Sequence, residues 1–279
     1  MDPAAPALSP DLRIGSLLSR AWRTYRSRPW FLLGTGLAIY VLLPAAVVWI
    51  IPHPSPAPGD APSFPLSMLL FLIAGTILAA MLNAGYLHAA MRILLGETPR
   101  ADMLLKGFRK FWPLLGWTVL AYLGYPLLMS VAILPGILAG AFLAPAVGVA
   151  LGALMLLPVA YLAARLLPSL VVLLETGLGP LAAFRTSWRM TRGHGWRTAL
   201  ALVAALVLVY APVIPVVLAD MLQAVPDYVA LPAQAVIMCL TAPLALLLLL
   251  TAYDELARAY ASRAEAAAAG PGPDAPAGA

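Results

Sequence analysis

The stretch Arg185-Thr-Ser-Trp-Arg-Met-Thr-Arg-Gly-His-Gly-Trp196 lies between two long apolar runs in a chain that is 62% hydrophobic. Arginine beside tryptophan, just ahead of a run long enough to cross lipid, is the composition of the membrane-water boundary. There indole rings sit among headgroups and cations face the cytoplasm. The flanking runs therefore read as membrane spans, and the stretch as a surface element joining them.

Working outward, 279 residues with only 10% charged and a mean hydropathy of +0.91 describe a polytopic membrane protein rather than a soluble domain. The net charge of +5 would suggest nucleic acid in a soluble chain. Here the cations flank lipid spans and serve as topology signals, so nucleic acid is not expected as a partner. A single cysteine, Cys239, lies in an apolar run and excludes an intrachain disulfide. The first apolar run is longer than the ~7 to 15 residues of a signal-peptide core and reads as a retained span.

Residues 1–8 are expected to be disordered. Ser9 and Pro10 then offer a cap and a first helical position, and Ile14, Leu17, Leu18, Ala21, Trp22 and Tyr25 share one helical face opposite Arg13, Arg20 and Arg23. At that length the helix lies on the surface. Spans are expected over residues 30–51, 66–95, 113–135, 142 to about 165 with a bent extension to 174, about 196–220 and 228–253. An external Pro-rich loop covers 52–65, and a turn is expected around Gly136 to Gly140. A second surface helix is expected from Thr98 and Pro99, with Leu104, Leu105, Phe108, Phe111 and Trp112 opposite Asp102, Lys106, Arg109 and Lys110. Gly179 and Pro180 open a third, and residues 264–279 form a disordered tail.

Charge placement orients this arrangement. With six spans and the N-terminus inside, all 17 Lys and Arg residues fall in cytoplasmic segments, which places both termini in the cytoplasm. An internal repeat divides it. Trp30 is followed by Gly34, Tyr40 and Pro44; Trp112 is followed at the same offsets by Gly116, Tyr122 and Pro126. Trp22 and Trp30 are spaced as Trp188 and Trp196 are. The fold expected is thus all-α, six transmembrane helices in three repeats (about 9–97, 98–178 and 179–263), each a surface helix followed by a two-span hairpin, in a pseudo-threefold bundle.

Two sets of residues are candidates for function. Arg20, Trp22, Arg23, Arg26 and Trp30, then Lys106, Arg109, Lys110 and Trp112, then Arg185, Trp188, Arg189, Arg192 and Trp196 form basic-aromatic clusters suited to membrane lipids, anionic headgroups among them. Simple anchoring uses the same residues and is the favoured reading. Asn83, His88, Arg165, Glu175 and Gln234 are polar groups in or near spans, where each is costly. Inter-helix hydrogen bonding is the bland explanation and a substrate pathway the sharper one. Neither a catalytic constellation nor a metal or cofactor motif is present: the three histidines are scattered, and the glycines flanking His194 read as a flexible break.

The segment from Arg165 and Pro168 through Leu173-Leu174-Glu175, Gly179-Pro180 and Ala183-Phe184-Arg185-Thr186-Ser187-Trp188-Arg189-Met190-Thr191-Arg192-Gly193 to Trp196 resembles a signature preceding span five in known bacterial families. These are the YciC-like inner-membrane proteins and the membrane domain of some glycerophosphoryl diester phosphodiesterases. The resemblance implies a bacterial inner-membrane protein without established activity. The phosphodiesterase catalytic domain has no counterpart in the chain. The functional expectation is a non-enzymatic accessory or membrane-organising protein with no cofactor. Its alternative is a transporter or lipid-handling permease, with Asn83, His88, Arg165 and Gln234 facing one cavity between the repeats. Protein partners are not legible.

Overall fold

The computed structural model describes residues 12–42, 66–223 and 226–268, and these form helices and turns with no strand. The chain begins with α1 (Ile14–Ser27), then α2 (Pro29–Leu37), which continues as a π-helical turn, Ala38–Leu42. Next come α3 (Leu66–Leu94), a 3-10 turn (Ala101–Met103), α4 (Lys106–Arg109), α5 (Phe111–Phe142), α6 (Pro145–Leu166) and α7 (Pro168–Thr176). The last elements are α8 (Pro180–Met190), α9 (Gly195–Tyr210), α10 (Ile214–Met221) and α11 (Asp227–Ala268). The expected Ser9-Pro10 start, the disorder expected for residues 1–8 and for 269–279, the far part of the first span and the expected 52–65 loop lie outside the described residues.

Four helical stretches are long and apolar enough to cross a membrane: Leu69–Leu94, Phe111–Phe142, Pro145–Thr176 and Pro232–Ala266. A fifth exists if α8 and α9, which meet at a bend of 107°, are counted together. Pro29–Leu42 is a shorter apolar helix. The core gathers where α11 meets α1, α2, α3 and α9. Tyr86, Leu173, Leu247, Leu250 and Leu256 are fully buried there, while Leu127, Phe142, Leu143 and Val149 stand exposed on the outside, as lipid-facing residues would.

Prolines set the helix breaks. Arg28 adopts φ −145°, ψ 54° ahead of Pro29 and separates α1 from α2. Ala144 is extended (φ −163°, ψ 146°) ahead of Pro145 and ends α5. The turn between the third and fourth apolar runs is therefore at 143–144, and not at Gly136 to Gly140 as the glycines suggested. Those glycines lie inside α5, which carries Pro126 and Pro135 within it, and they serve close packing. A Cβ on Gly148 of α6 would lie 2.5 Å from the Gly140 Cα and 2.6 Å from the Gly136 oxygen. Small residues four apart on both helices allow that approach.

The second surface helix is also corrected. From 98 to 110 the chain forms only the 3-10 turn and the four-residue α4. This segment is pressed against α3: a Cβ on Gly85 would lie 1.9 Å from the Leu104 oxygen, and one on Gly107 would lie 2.2 Å from the Met81 oxygen. Backbone-to-backbone contact at two points leaves no room for a regular amphipathic helix with side chains all round. Two further boundaries move. The fifth apolar helix stops at Tyr210 rather than near Pro215 to Asp220, and a turn leads into α10, which has Pro215 in its first turn. The last helix runs on to Ala268, into the expected disordered tail.

Candidate functional site

Charged and aromatic side chains collect around three places. The first is where α1 crosses α11. Arg20 directs one nitrogen to Asp254 and the other to Glu255, the latter at 2.9 Å, and Arg258 closes on Asp254 at 2.8 Å. Asp254 is 4% exposed, so Arg20 stabilises the packing of α1 rather than offering a free charge to lipid. Leu17 and Ala21 bury beside it, whereas Trp22, Arg23 and Arg26 face outward. Asp254 and Glu255 are functional neighbours that the sequence reading missed. Their signal was two adjacent carboxylates at the end of the last apolar run, in a chain with few of them.

The second place is the junction of α3, α4, α5 and α7. His88 Nδ1 lies 2.9 Å from Glu175 Oε1, and Arg92 donates to Glu175 Oε2 at 3.0 Å and to Glu97 at 3.0 Å. Lys110 donates to the carbonyl of Leu174, capping the C-terminal end of α7, where unpaired carbonyls and the helix dipole favour a cation. Gly177 completes that cap with φ +73°. His88, Arg92, Lys106, Arg109, Lys110, Leu174 and Glu175 line a cavity of about 420 Å³. Lys106 and Arg109 form no ion pair with the described residues.

The third place is the opening segment itself. Arg165, 8% exposed, reaches from α6 to α8. Its Nε donates to Thr191 Oγ1 at 3.2 Å and a terminal nitrogen to the Trp188 carbonyl at 2.9 Å. Its guanidinium sits 3.4 Å from the centroid of the Trp188 ring. Ser187 donates back to the Arg165 carbonyl at 2.7 Å. Arg165 has no carboxylate partner among the described residues, so carbonyl, hydroxyl and ring together satisfy the buried cation. Arg185, Arg189 and Arg192 remain exposed. The Gly193-His194-Gly195 break is a packed corner: Gly193 has φ +84°, and a Cβ on Gly195 would meet the Tyr161 ring at 2.7 Å.

The other intramembrane candidates do not converge. Asn83 accepts a hydrogen bond from Tyr40 Oη at 2.8 Å and borders a separate, apolar cavity of about 320 Å³ shared by α3, α5, α7 and α11. Gln234, half-buried on α11, borders neither cavity. Asn83, His88, Arg165 and Gln234 therefore occupy four different settings.

The chain matches a family model described as "Domain of unknown function (DUF7847)" over residues 12–262. No curated protein and no solved structure matches it. With the match running from the start of α1 into the end of α11, the chain belongs to the DUF7847 family.

Proposed function

We propose that this is a non-enzymatic integral protein of the bacterial plasma membrane, six spans in three repeats with both termini cytoplasmic. Its role is accessory or membrane-organising, and its basic-aromatic elements hold the anionic leaflet. The observation that carries this reading is the placement of three tryptophans. Trp30, Trp112 and Trp196 are each the second residue of an apolar helix, α2, α5 and α9. They are 86%, 77% and 65% exposed. A large ring left outside the core at each helix start, next to exposed arginines, is what an interfacial belt requires. The same position recurring three times also supports the repeat, although the second copy has only α4 where the others have α1 and α8. The resemblance of the Arg165 to Trp196 segment to bacterial inner-membrane families agrees with the location.

The permease alternative, which needs all four polar residues on one cavity, draws no support from them, because Arg165 and Gln234 border neither of the cavities lined by Asn83 and His88. Single-cysteine labelling in a Cys239→Ser background tests the orientation. Cysteines at Arg109 and Arg192 are expected to react only from the cytoplasmic face, and one placed in the 52–65 loop only from outside. External reaction at Arg109 or Arg192 would overturn the proposal.

A further inference from the structure

The apolar and basic cavities are stacked on the same three helices. On α3, Asn83 and Leu87 line the apolar one while His88 and Arg92 line the basic one; along α5 the division is Leu114 and Trp117 against Lys110, the residue immediately before its first turn. On α7 it is Leu170 and Val171 against Leu174 and Glu175. The offset on each helix is about one turn, ~5.4 Å. Volumes of about 320 and 420 Å³ each fall at the low end of the ~300–1,000 Å³ of ligand sites. From this stacking we infer that the two cavities form one site for an anionic lipid. Its phosphate lies among Lys106, Arg109 and Lys110, and its acyl chain between α3, α5, α7 and α11.

Charge complementarity selects the head. Four cations and one carboxylate surround the basic cavity, and that carboxylate, Glu175, is held by Arg92 and His88. Lys106, Arg109 and Lys110 form no ion pair with the described residues; Lys110 caps α7, while Lys106 and Arg109 stand on α4 with neither an ion pair nor a side-chain hydrogen bond among those residues. Guanidinium and ammonium both bind phosphate oxygens strongly. His88, 5% exposed, uses Nδ1 on Glu175 and leaves a buried Nε2 with no partner among the described residues. The apolar lining selects the tail, since a free phosphate gains nothing from leucines. Tyr122, 62% exposed, also lines the apolar cavity, which therefore reaches the outer surface of the bundle, where a chain can enter from the bilayer.

The site rests on the bundle being embedded in lipid but not on the orientation or the anchoring role. Native mass spectrometry of the full chain in detergent tests it with three probes: inorganic phosphate, dihexanoyl phosphatidic acid and dihexanoyl phosphatidylcholine. Phosphatidic acid is expected to bind saturably at one site, at least about tenfold tighter than either other probe. The double variant Lys106→Gln/Arg109→Gln should weaken phosphatidic acid at least about tenfold. Ala80→Phe, filling the apolar cavity, should weaken phosphatidic acid but not phosphate. If that variant fails to fold, Tyr122→Ala at the exposed edge serves the same comparison. Equal affinity for phosphate and phosphatidic acid would make this a phosphate site and overturn the lipid assignment. Binding that is unsaturable, or untouched by both sets of variants, would overturn the site itself. The labelling assay could fail while this binding stands, and the reverse is equally possible, so the two proposals are separable.

Discussion

The guanidinium of Arg165 on α6 rests on the face of Trp188 on α8, 3.4 Å from the ring centroid, and clasps the Trp188 carbonyl at 2.9 Å. Trp188 thus spends its ring on a buried cation. Lysine cannot reproduce the planar stack or the separate Nε donor. Arg165→Lys is expected to cost about 2 kcal/mol of stability, and Trp188→Leu a similar amount from the lost cation-π contact. Arg189→Ala, at an exposed arginine beside them, should cost less than about 0.5 kcal/mol. Thermal melts in one detergent compare the three. A melt for Arg165→Lys equal to that of the parent would remove the clasp from the account of this corner.

The Arg20 fork predicts unequal costs for its two carboxylates. Asp254 has a side chain 6% exposed against 25% for Glu255, so its charge is desolvated and depends on Arg20 and Arg258. Removing one partner of such a pair costs about 3 kcal/mol, while a more exposed pair is worth about 1 kcal/mol or less. Asp254→Ala should therefore destabilise strongly and Glu255→Gln weakly. A double-mutant cycle between Arg20→Ala and Asp254→Ala should return a coupling of more than about 1 kcal/mol. Additive effects would show that α1 docks through Leu17 and Ala21 alone.

At the α5–α6 contact, Gly148 of α6 has no room for a Cβ, whereas Gly124 on α5 has nothing within 4 Å. Gly148→Ala is expected to force the helices apart at about 1 to 3 kcal/mol. Gly124→Ala should stabilise by about 0.5 to 1 kcal/mol, because helix propensity is the only term left. Disulfide cross-linking between cysteines placed on the two helices would show the separation as a loss of yield in the first variant alone.

What the sequence made legible was what depends on composition along one helix. The apolar runs became α3, α5, α6, α9 and α11, the break expected near Arg165 fell at Leu167 between α6 and α7, and Gly179-Pro180 opened α8. What it hid depends on which helices touch. Gly136 and Gly140 looked like a turn because glycine marks both turns and close helix contacts, and only the partner glycines on α6 decide between them. Glu175 and His88 were singled out, but their pairing, 87 residues apart, was invisible. Arg20 was read as a headgroup ligand because its carboxylates stand more than 230 residues away. Ser187 and Thr191 bind Arg165 from 22 and 26 residues away, a contact that the pattern along either helix does not show.

The failed second surface helix supplies the last prediction. Leu104 and Gly107 lie directly on the backbone of α3 at Gly85 and Met81, and the same segment carries Lys106, Arg109 and Lys110. A side chain at Gly85 must displace the carbonyl of Leu104, because backbone on both sides cannot rotate out of the way as a side chain could. Gly85→Val should therefore lift residues 101–109 from α3 without unfolding the bundle, whose core lies with α11. Hydrogen exchange is the direct measurement. Amides of 103–108, several of them bonded within this turn, such as Met103 to Arg100 and Phe108 to Leu105, should exchange faster by one to two orders of magnitude, about 1.4 to 2.8 kcal/mol of lost local protection. Amides of α11 should keep their parent rates. Uniform acceleration across both would mean that this contact supports the whole fold, and no acceleration in either would mean that the segment does not depend on Gly85 for its seat.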